Sequence, residues 1–181
     1  MEHTFSLQPF STTETLPNIK ITGNLARNEN LLIISFALTG NITEVEIPSP
    51  SDNPTRKNQL WEQTCFEFFI GIKNSPRYWE FNLSPTEDWN LYSFDGYRQG
   101  MQEETAFSTL PFSIYQSDDC FAIALDFDLS KIIPNEQVLD VAIASVIQSK
   151  NNQITYWALT HCAEEADFHQ RSSFILDLAV S

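Results

Sequence analysis

Carboxylate and amide side chains alternate with aromatic rings in two neighbouring segments of the sequence. Glu67 lies within residues 64–72, and Glu80 and Asn82 lie within residues 78–83. Carboxylates and amides hydrogen-bond the hydroxyl groups of a ligand, and aromatic rings stack on its apolar faces. These residue types suit recognition of a small polar molecule. Two nearby carboxylates could also serve as the acid and the nucleophile or base of a glycosidase.

The apolar residues of these two segments predict a β-hairpin with a defined register. The turn-rich stretch 73–76 separates the two strands. The alternating apolar residues of both strands must face the core. The residue numbers of each cross-strand pair must therefore sum to an odd number. A turn at this point pairs Ile70 with Trp79. It also pairs Phe68 with Phe81, and the acids and remaining rings then share the opposite face: Cys65, Glu67, Phe69, Tyr78, Glu80 and Asn82.

A second group of titratable residues lies nearer the end of the sequence: His161, Asp167 and His169. In an extended segment Asp167 and His169 point to the same side, where they could bind a metal or act as an acid–base pair. The usual zinc spacings and a fourth ligand are missing, and three cysteines without a CxxC pair do not supply them. We therefore expect no metal, and expect Asp167 to hydrogen-bond His169 and fix the loop around it.

Short alternating runs separated by Asn, Gly, Pro, Asp and Ser clusters predict an all-β sandwich or barrel. No composition break divides the chain, so one domain is expected to cover residues 1–181. Residues 48–59, with two prolines, are expected to form a surface loop, and helical turns are expected at 128–133, capped by Asp128, and at 100–106. Strands are expected at residues 4–8, 19–26, 31–38, 43–47, 64–72, 78–83, 90–94, 112–116, 121–127, 138–147, 154–159 and 173–178.

The charge balance excludes some classes of partner. Ten basic and 24 acidic residues give a net charge of −14, which repels phosphate backbones and anionic bilayers, so neither nucleic acid nor a membrane is expected as a partner. Residues 1–10 alternate polar and apolar types and lack the features of a secretory signal. A soluble, cytoplasmic protein is the resulting expectation.

Four runs of sequence carry a resemblance to a known group of domains. The run LWEQTCFEFFI at residues 60–70 places Trp61 before a strand and Glu67 six residues later. Further runs are YWEFNLSP at 78–85, WNLYSFDGYRQGM at 89–101, and residues 156–174, which contain the triplet DFH. Together they resemble DOMON-like domains, specifically those similar to family-nine carbohydrate-binding modules.

This resemblance implies a jelly-roll-like sandwich of two antiparallel sheets, with a ligand site on one sheet face and its bordering loops. In the sugar-binding relatives two Trp rings sandwich a sugar, and charged side chains bind its hydroxyl groups. Trp61 and Glu67 match by motif, Trp157 or Trp89 is the candidate for the second ring, and Arg98 is the candidate cation. The sequence departs from the pattern at residues 63 and 64, where relatives often have acids, which puts any metal site there in doubt.

We therefore expect a non-catalytic module that binds a saccharide through Trp61, Glu67, Glu80, Asn82 and Arg98. Three alternatives remain open. The aromatic face could be covered by a protein partner in a structural role. The two carboxylates could form a glycoside-acting enzyme, and some DOMON domains bind haem, for which Met101 with His161 or His169 would be the axial ligands.

Overall fold

The computed structural model describes residues 2–10 and 15–179, and within these ranges the chain forms β-strands and short 3-10 turns without an α-helix. No helix in this part of the chain is long and apolar enough to cross a membrane. The 3-10 turns are Ile42–Glu44, Leu60–Glu62, Leu129–Lys131 and Arg171–Ser173. The strands are β1 (Glu2–Ser6), β2 (Gln8–Pro9), β3 (Ile19–Asn28), β4 (Leu31–Gly40), β5 (Cys65–Ile72), β6 (Tyr78–Leu83), β7 (Trp89–Phe94), β8 (Gln102–Glu103), β9 (Ser113–Gln116), β10 (Cys120–Asp128), β11 (Leu139–Gln148), β12 (Ile154–Ala158) and β13 (Leu176–Leu178).

The strands assemble into two antiparallel sheets. The smaller sheet has the order β1-β3-β4-β10-β9, and the larger has the order β2-β12-β11-β5-β6-β7-β8, with β13 paired to β11. Every second side chain of β4 is buried against the larger sheet, as the alternation of a half-buried strand requires. The predicted all-β sandwich of two antiparallel sheets is confirmed.

Aromatic rings fill the space between the two sheets. Phe66 of β5 stacks on Phe121 of β10 with ring centroids 5.7 Å apart, and it meets the edge of Phe36 at 5.4 Å. Phe68 and Phe81 stack at 4.3 Å on neighbouring strands of the larger sheet. Such pairs combine large apolar burial with defined ring geometry, so they fix how the two sheets face each other.

The predicted register of the central hairpin is confirmed. Strand β5 pairs with β6 so that Ile70 lies opposite Trp79 and Phe68 lies opposite Phe81. Because side chains alternate along a strand, Glu67 lies on the other side of the larger sheet, which we call the reverse face. This pairing places Glu67 opposite Asn82, with Glu80 one diagonal step away.

Most predicted strands lie within two residues of their observed bounds, but residues 43–47 do not form a strand. Ile42–Glu44 is a 3-10 turn instead, in which Thr43 Oγ1 donates to Asn41 Oδ1 at 2.6 Å. Asn41 Nδ2 donates to Glu44 Oε1 at 2.7 Å. These local side-chain bonds compete with the extended backbone, which explains the error.

Three further predictions near the ends of strands had different outcomes. The turn capped by Asp128 is confirmed, because the Asp128 carboxylate accepts from the Ser130 amide at 2.8 Å. The helical turn expected at residues 100–106 is wrong, since Gln102–Glu103 is strand β8 on the edge of β7. The strand expected at 173–178 shortens to Leu176–Leu178 because Arg171–Ser173 forms a 3-10 turn.

Candidate functional site

A cleft of about 460 Å³ opens on the reverse face of the larger sheet. Its base is formed by Glu67 of β5, Glu80 of β6 and Val146 of β11. Loops 95–101 and 159–175 and the turn Leu60–Glu62 stand around it. The side chains that complete the lining are Trp61, Phe94, Arg98, Met101, Tyr156, Ala166, Phe168 and His169.

Two alanines occupy the reverse face of β11. Ala144 lies opposite Glu67, and Ala142 lies opposite Phe69 on the paired strand. The other alternating set of β11 includes Val141 and is packed in the core between the sheets. Ala142 and Ala144 pack in one cluster with Phe69 and Phe174, so their small side chains leave room for the rings of loop 159–175.

The reverse face is not open along its whole length. Phe168 and Phe174 of loop 159–175 pack on Phe69, with ring centroids 6.5 and 6.0 Å away. Tyr78 stacks on Phe94 at 4.7 Å and is fully buried. The acids therefore lie at the base of a cleft between these covered regions rather than on an exposed surface.

Glu67 is buried at the base of the cleft, with 2% of its surface exposed. Its Oε1 has no hydrogen-bond partner among the described residues. Burial raises the pKa of the Glu67 carboxyl well above its usual value, and the nearby charge of Glu80 raises it further, while a contact with the Cys65 thiol opposes the change. Glu67 Oε1 is thus a buried oxygen without a hydrogen-bond partner among the described residues.

Glu80 lies diagonally across the hairpin and is exposed by 3%. Asn82 Nδ2 donates to Glu80 Oε1 at 3.0 Å. Burial raises the pKa of Glu80 to about 7, although the bond from Asn82 and the charge of Arg98 both lower it. Because both carboxyls resist ionisation, the pair retains protons close to neutral pH.

His169 connects the acids to loop 95–101. Burial, with a smaller contribution from the charge of Arg98, lowers its pKa to about 4, so the imidazole is neutral at pH 7. Its Nδ1 lies 2.9 Å from the Tyr78 hydroxyl, whose oxygen also accepts the Arg98 backbone N–H at 3.2 Å. The hydroxyl can donate to Nδ1, which leaves the imidazole proton on Nε2, 3.8 Å from Glu80 Oε2.

Asp167 joins the two loops that flank the cleft. Its carboxylate accepts from Arg98 Nη2 at 2.9 Å and from the His169 backbone amide at 3.0 Å. Gln170 Nε2 and the Tyr97 hydroxyl also donate to it. Burial raises the pKa of Asp167, but these bonds outweigh burial and the net pKa is lowered. The expected bond between Asp167 and His169 is present, through the backbone rather than the ring.

The structure brings together Trp61, Glu67, Glu80 and Arg98 around one cleft, and Asn82 beneath it as the partner of Glu80. The predicted rim cluster is only partly assembled. Asp167 and His169 lie together, but the His161 Nε2 bonds the Gln8 carbonyl at 2.9 Å and the ring packs on Phe10. The expectation that His161 joins them is wrong.

Trp157 and Trp89 are not in the cleft, which corrects the prediction of a second stacking ring. Trp157 shares β12 with Tyr156, and adjacent residues of a strand point to opposite faces, so Trp157 enters the core between the sheets. Trp89 pairs with Leu83, also a core residue, and the Arg56 guanidinium lies 4.2 Å from its ring centroid. Both indoles are structural.

Sequence reasoning missed the rings that do line the cleft. Tyr156 is 41% exposed and meets the edge of Phe168 with centroids 6.1 Å apart. Tyr156 could have been identified by applying to β12 the alternation used for the hairpin. Phe168 lies in the DFH triplet, but its position depends on how loop 159–175 crosses the sheet, which no periodic pattern encodes.

Met101 and His169 both line the cleft, so the haem alternative can be compared with the geometry. The residues do not fit a porphyrin well. The His169 Nδ1 is engaged by Tyr78, and the Nε2 faces Glu80. A flat macrocycle would also seal Glu67 and Glu80 from water without supplying donors, which is unfavourable for buried carboxylates. Among residues 2–10 and 15–179, no three His, Cys, Asp or Glu side chains cluster as metal ligands.

The comparisons with known proteins agree on the fold. No protein-family model and no curated protein matches the sequence. A protein from Bacteroides uniformis, described as an inferred carbohydrate binder, has a TM-score of 0.74 at 11% identity, over 99% of this chain and 86% of that one.

Two structures of a family-nine carbohydrate-binding module from Caldicellulosiruptor kristjanssonii are also similar. The complex with cellotriose has a TM-score of 0.57 at 12% identity, over 98% of this chain and 82% of the module. The complex with glucose has a TM-score of 0.54 at 11% identity, over 92% and 79% of the two chains. The chain therefore has a fold similar to that of family-nine carbohydrate-binding modules.

Proposed function

We propose that this chain is a non-catalytic module that binds a saccharide in the cleft on the reverse face. The observation that carries the proposal is the pair of buried carboxylates, Glu67 and Glu80, at the base of a cleft with aromatic walls. The volume of about 460 Å³ lies within the range of roughly 300–1,000 Å³ of small-molecule sites. Structures of similar fold contain glucose and cellotriose, which supports the same ligand class here.

The proposed roles follow from the chemistry of a pyranose. The C–H faces of the sugar ring are apolar and pack on Trp61, with Tyr156 and Phe168 as the opposing rings. The hydroxyl groups hydrogen-bond the carboxyl groups of Glu67 and Glu80 at the base of the cleft. Arg98, held by Asp167, offers its remaining N–H groups to hydroxyl oxygens at the rim.

The arrangement of the acids favours binding over glycoside hydrolysis. A glycosidase places two carboxyl groups on either side of the scissile bond. Glu67 and Glu80 instead project from neighbouring strands of one sheet face, so they approach a ligand from the same side. His169, which also faces Glu80, is a neutral imidazole held by Tyr78.

Calorimetric titration of a panel of neutral saccharides tests the proposal, with glucose, galactose, xylose, cellobiose and maltose as probes. Trp61→Ala is expected to weaken binding of the best saccharide at least tenfold, a loss of about 1.4 kcal/mol, because the stacking surface is removed. Tyr115→Ala is the matched control, since Tyr115 is an exposed ring on the smaller sheet. Tyr115→Ala should bind the saccharide with the affinity of the wild type.

Two results would contradict the proposal. One is that no saccharide of the panel, nor any amino sugar, binds the wild-type protein. The other is that Trp61→Ala and Tyr115→Ala bind a saccharide equally well, which would place the site outside the cleft.

A further inference from the structure

The charged groups of the cleft do not balance. Glu67 and Glu80 are buried at its base, and the cation on its rim, Arg98, already forms an ion pair with Asp167 at 2.9 Å. His169 also faces the acids, but its imidazole is neutral at pH 7. Among the described residues that line the cleft, Arg98 is the single cation: its charge acts on Glu80 but is shared with Asp167, and no second cation faces the two acids.

The acids also lack donors. Glu67 Oε1 has no hydrogen-bond partner in the described chain, although the residue is buried and lines the cleft. Glu80 Oε1 accepts from Asn82, whereas its Oε2 faces the His169 Nε2 at a distance of 3.8 Å, beyond a hydrogen bond. A buried carboxylate without partners is unfavourable, which is why the pair retains protons close to neutral pH. A ligand that brings both donors and a positive charge favours the ionised form and gains charge-assisted hydrogen bonds.

A protonated amino group meets both requirements. An ammonium has three N–H donors and a full positive charge, whereas a hydroxyl donates a single hydrogen bond and has no charge. Hydrogen bonds between ionised partners are about twice as strong as neutral ones. The rings of Trp61 and Tyr156 add to the preference, because aromatic faces attract cations.

We propose that the cleft selects saccharides that carry a protonated amino group, such as hexosamines, over neutral and N-acetylated sugars. This inference rests on the proposed saccharide-binding function. Glu67 and Glu80 bind the amino group, and Trp61 stacks on the sugar ring.

Binding of an amino sugar should also release protons from the cleft. The pKa of Glu80 is about 7, so at pH 6.5 much of its population is protonated in the free protein. An ammonium beside it favours the ionised carboxylate and lowers that pKa, and binding therefore releases protons to the buffer. Glucose, which has no charge, causes much less release.

The test is calorimetric titration of glucosamine, glucose and N-acetylglucosamine at pH 6.5 and 0.15 M salt, in two buffers of different ionisation enthalpy. Wild-type protein is expected to bind glucosamine at least tenfold more tightly than either other sugar, with proton release for glucosamine alone. In Glu67→Gln/Glu80→Gln the preference should fall below about threefold. The single variant Glu67→Gln should give an intermediate value.

Asp126→Asn is the matched control for non-specific attraction by the net charge of −14. Asp126 is exposed on β10 of the smaller sheet, and Asp126→Asn makes the same carboxyl-to-amide change away from the cleft while removing one surface negative charge. At 0.15 M salt the Debye length is about 8 Å, so a charge on the opposite sheet contributes little. The control should keep the wild-type preference for glucosamine.

The outcomes separate this inference from the proposed function. Equal affinity for glucose and glucosamine in the wild type would overturn the inference and leave saccharide binding standing. A glucosamine preference that persists in Glu67→Gln/Glu80→Gln would overturn the assignment to these acids. If none of the three sugars and none of the neutral panel binds, both proposals fail.

Discussion

Replacing both Glu67 and Glu80 by Gln should raise the free energy of unfolding at pH 8, and the gain should vanish near pH 4.5. Burial raises the pKa of both carboxyls in the folded chain, so the folded state binds more protons than the unfolded state above pH 4.5. Stability contributed by these groups is therefore complete at low pH and is lost as pH rises through their folded pKa values. For Glu80, a change from 4.5 to about 7 corresponds to about 3 kcal/mol.

The measurement is urea denaturation of wild type and Glu67→Gln/Glu80→Gln at pH 8 and pH 4.5. Asp126→Asn again serves as control, and its stability should follow the wild type at both pH values. A double variant no more stable than wild type at pH 8, or a gain of equal size at both pH values, would show that the acids are not buried as described.

The free energy of unfolding must be compared between variant and wild type, because the titration of His169 changes stability with pH in the opposite direction. Its pKa is lowered to about 4 by burial, so the unfolded state binds more protons than the folded state below about pH 6.5. Stability from the neutral imidazole is lost as pH falls from 6.5 to 4, while stability from Glu80 is gained as pH falls from 7 to 4.5. The two effects offset each other in the wild-type profile.

Trp157→Ala should lower the free energy of unfolding by about 3–5 kcal/mol, the range for a large buried aromatic side chain. Trp157 is 4% exposed in the core between the sheets, and its indole N–H donates to Thr155 Oγ1 at 3.0 Å. Removal leaves a cavity that well-packed neighbours cannot fill. Denaturant unfolding monitored by circular dichroism measures this loss.

Trp61→Ala is the companion variant, because it removes the same side chain from the partly exposed wall of the cleft. It should cost about 1 kcal/mol, well below the core substitution. Equal destabilisation by the two variants would contradict the assignment of Trp157 to the core and Trp61 to the site.

The hairpin was predictable because one rule governs it. Apolar residues on alternate positions of β5 and β6 allow a single parity of pairing, and that parity places Glu67 and Glu80 on the reverse face. The same rule applied to β12 would have excluded Trp157 in favour of Tyr156. The short alternating side chains Ala142 and Ala144 were a further available signal that other rings pack on this part of the reverse face.

The position of loop 159–175, which covers part of the reverse face, was not predictable in the same way. Loop 159–175 is positioned by Phe168 and by Asp167, whose partners Tyr97 and Arg98 lie about seventy residues earlier in the sequence. Such contacts depend on the folded topology and leave no periodic pattern. The burial of the acids, which determines their raised pKa values, follows from that cover and was therefore missed as well.

Titration of amide- and indole-labelled protein with the best-binding saccharide, followed by two-dimensional NMR, tests the central claim most directly. Saccharide binding in the cleft predicts that the Trp61 indole signal and the amides of Glu67, Arg98 and His169 shift together with one dissociation constant. The indole signals of Trp79, Trp89 and Trp157 should stay nearly unchanged, because these rings lie in the core between the sheets. Shifts confined to the smaller sheet, with the Trp61 indole unmoved at saturation, would contradict the account.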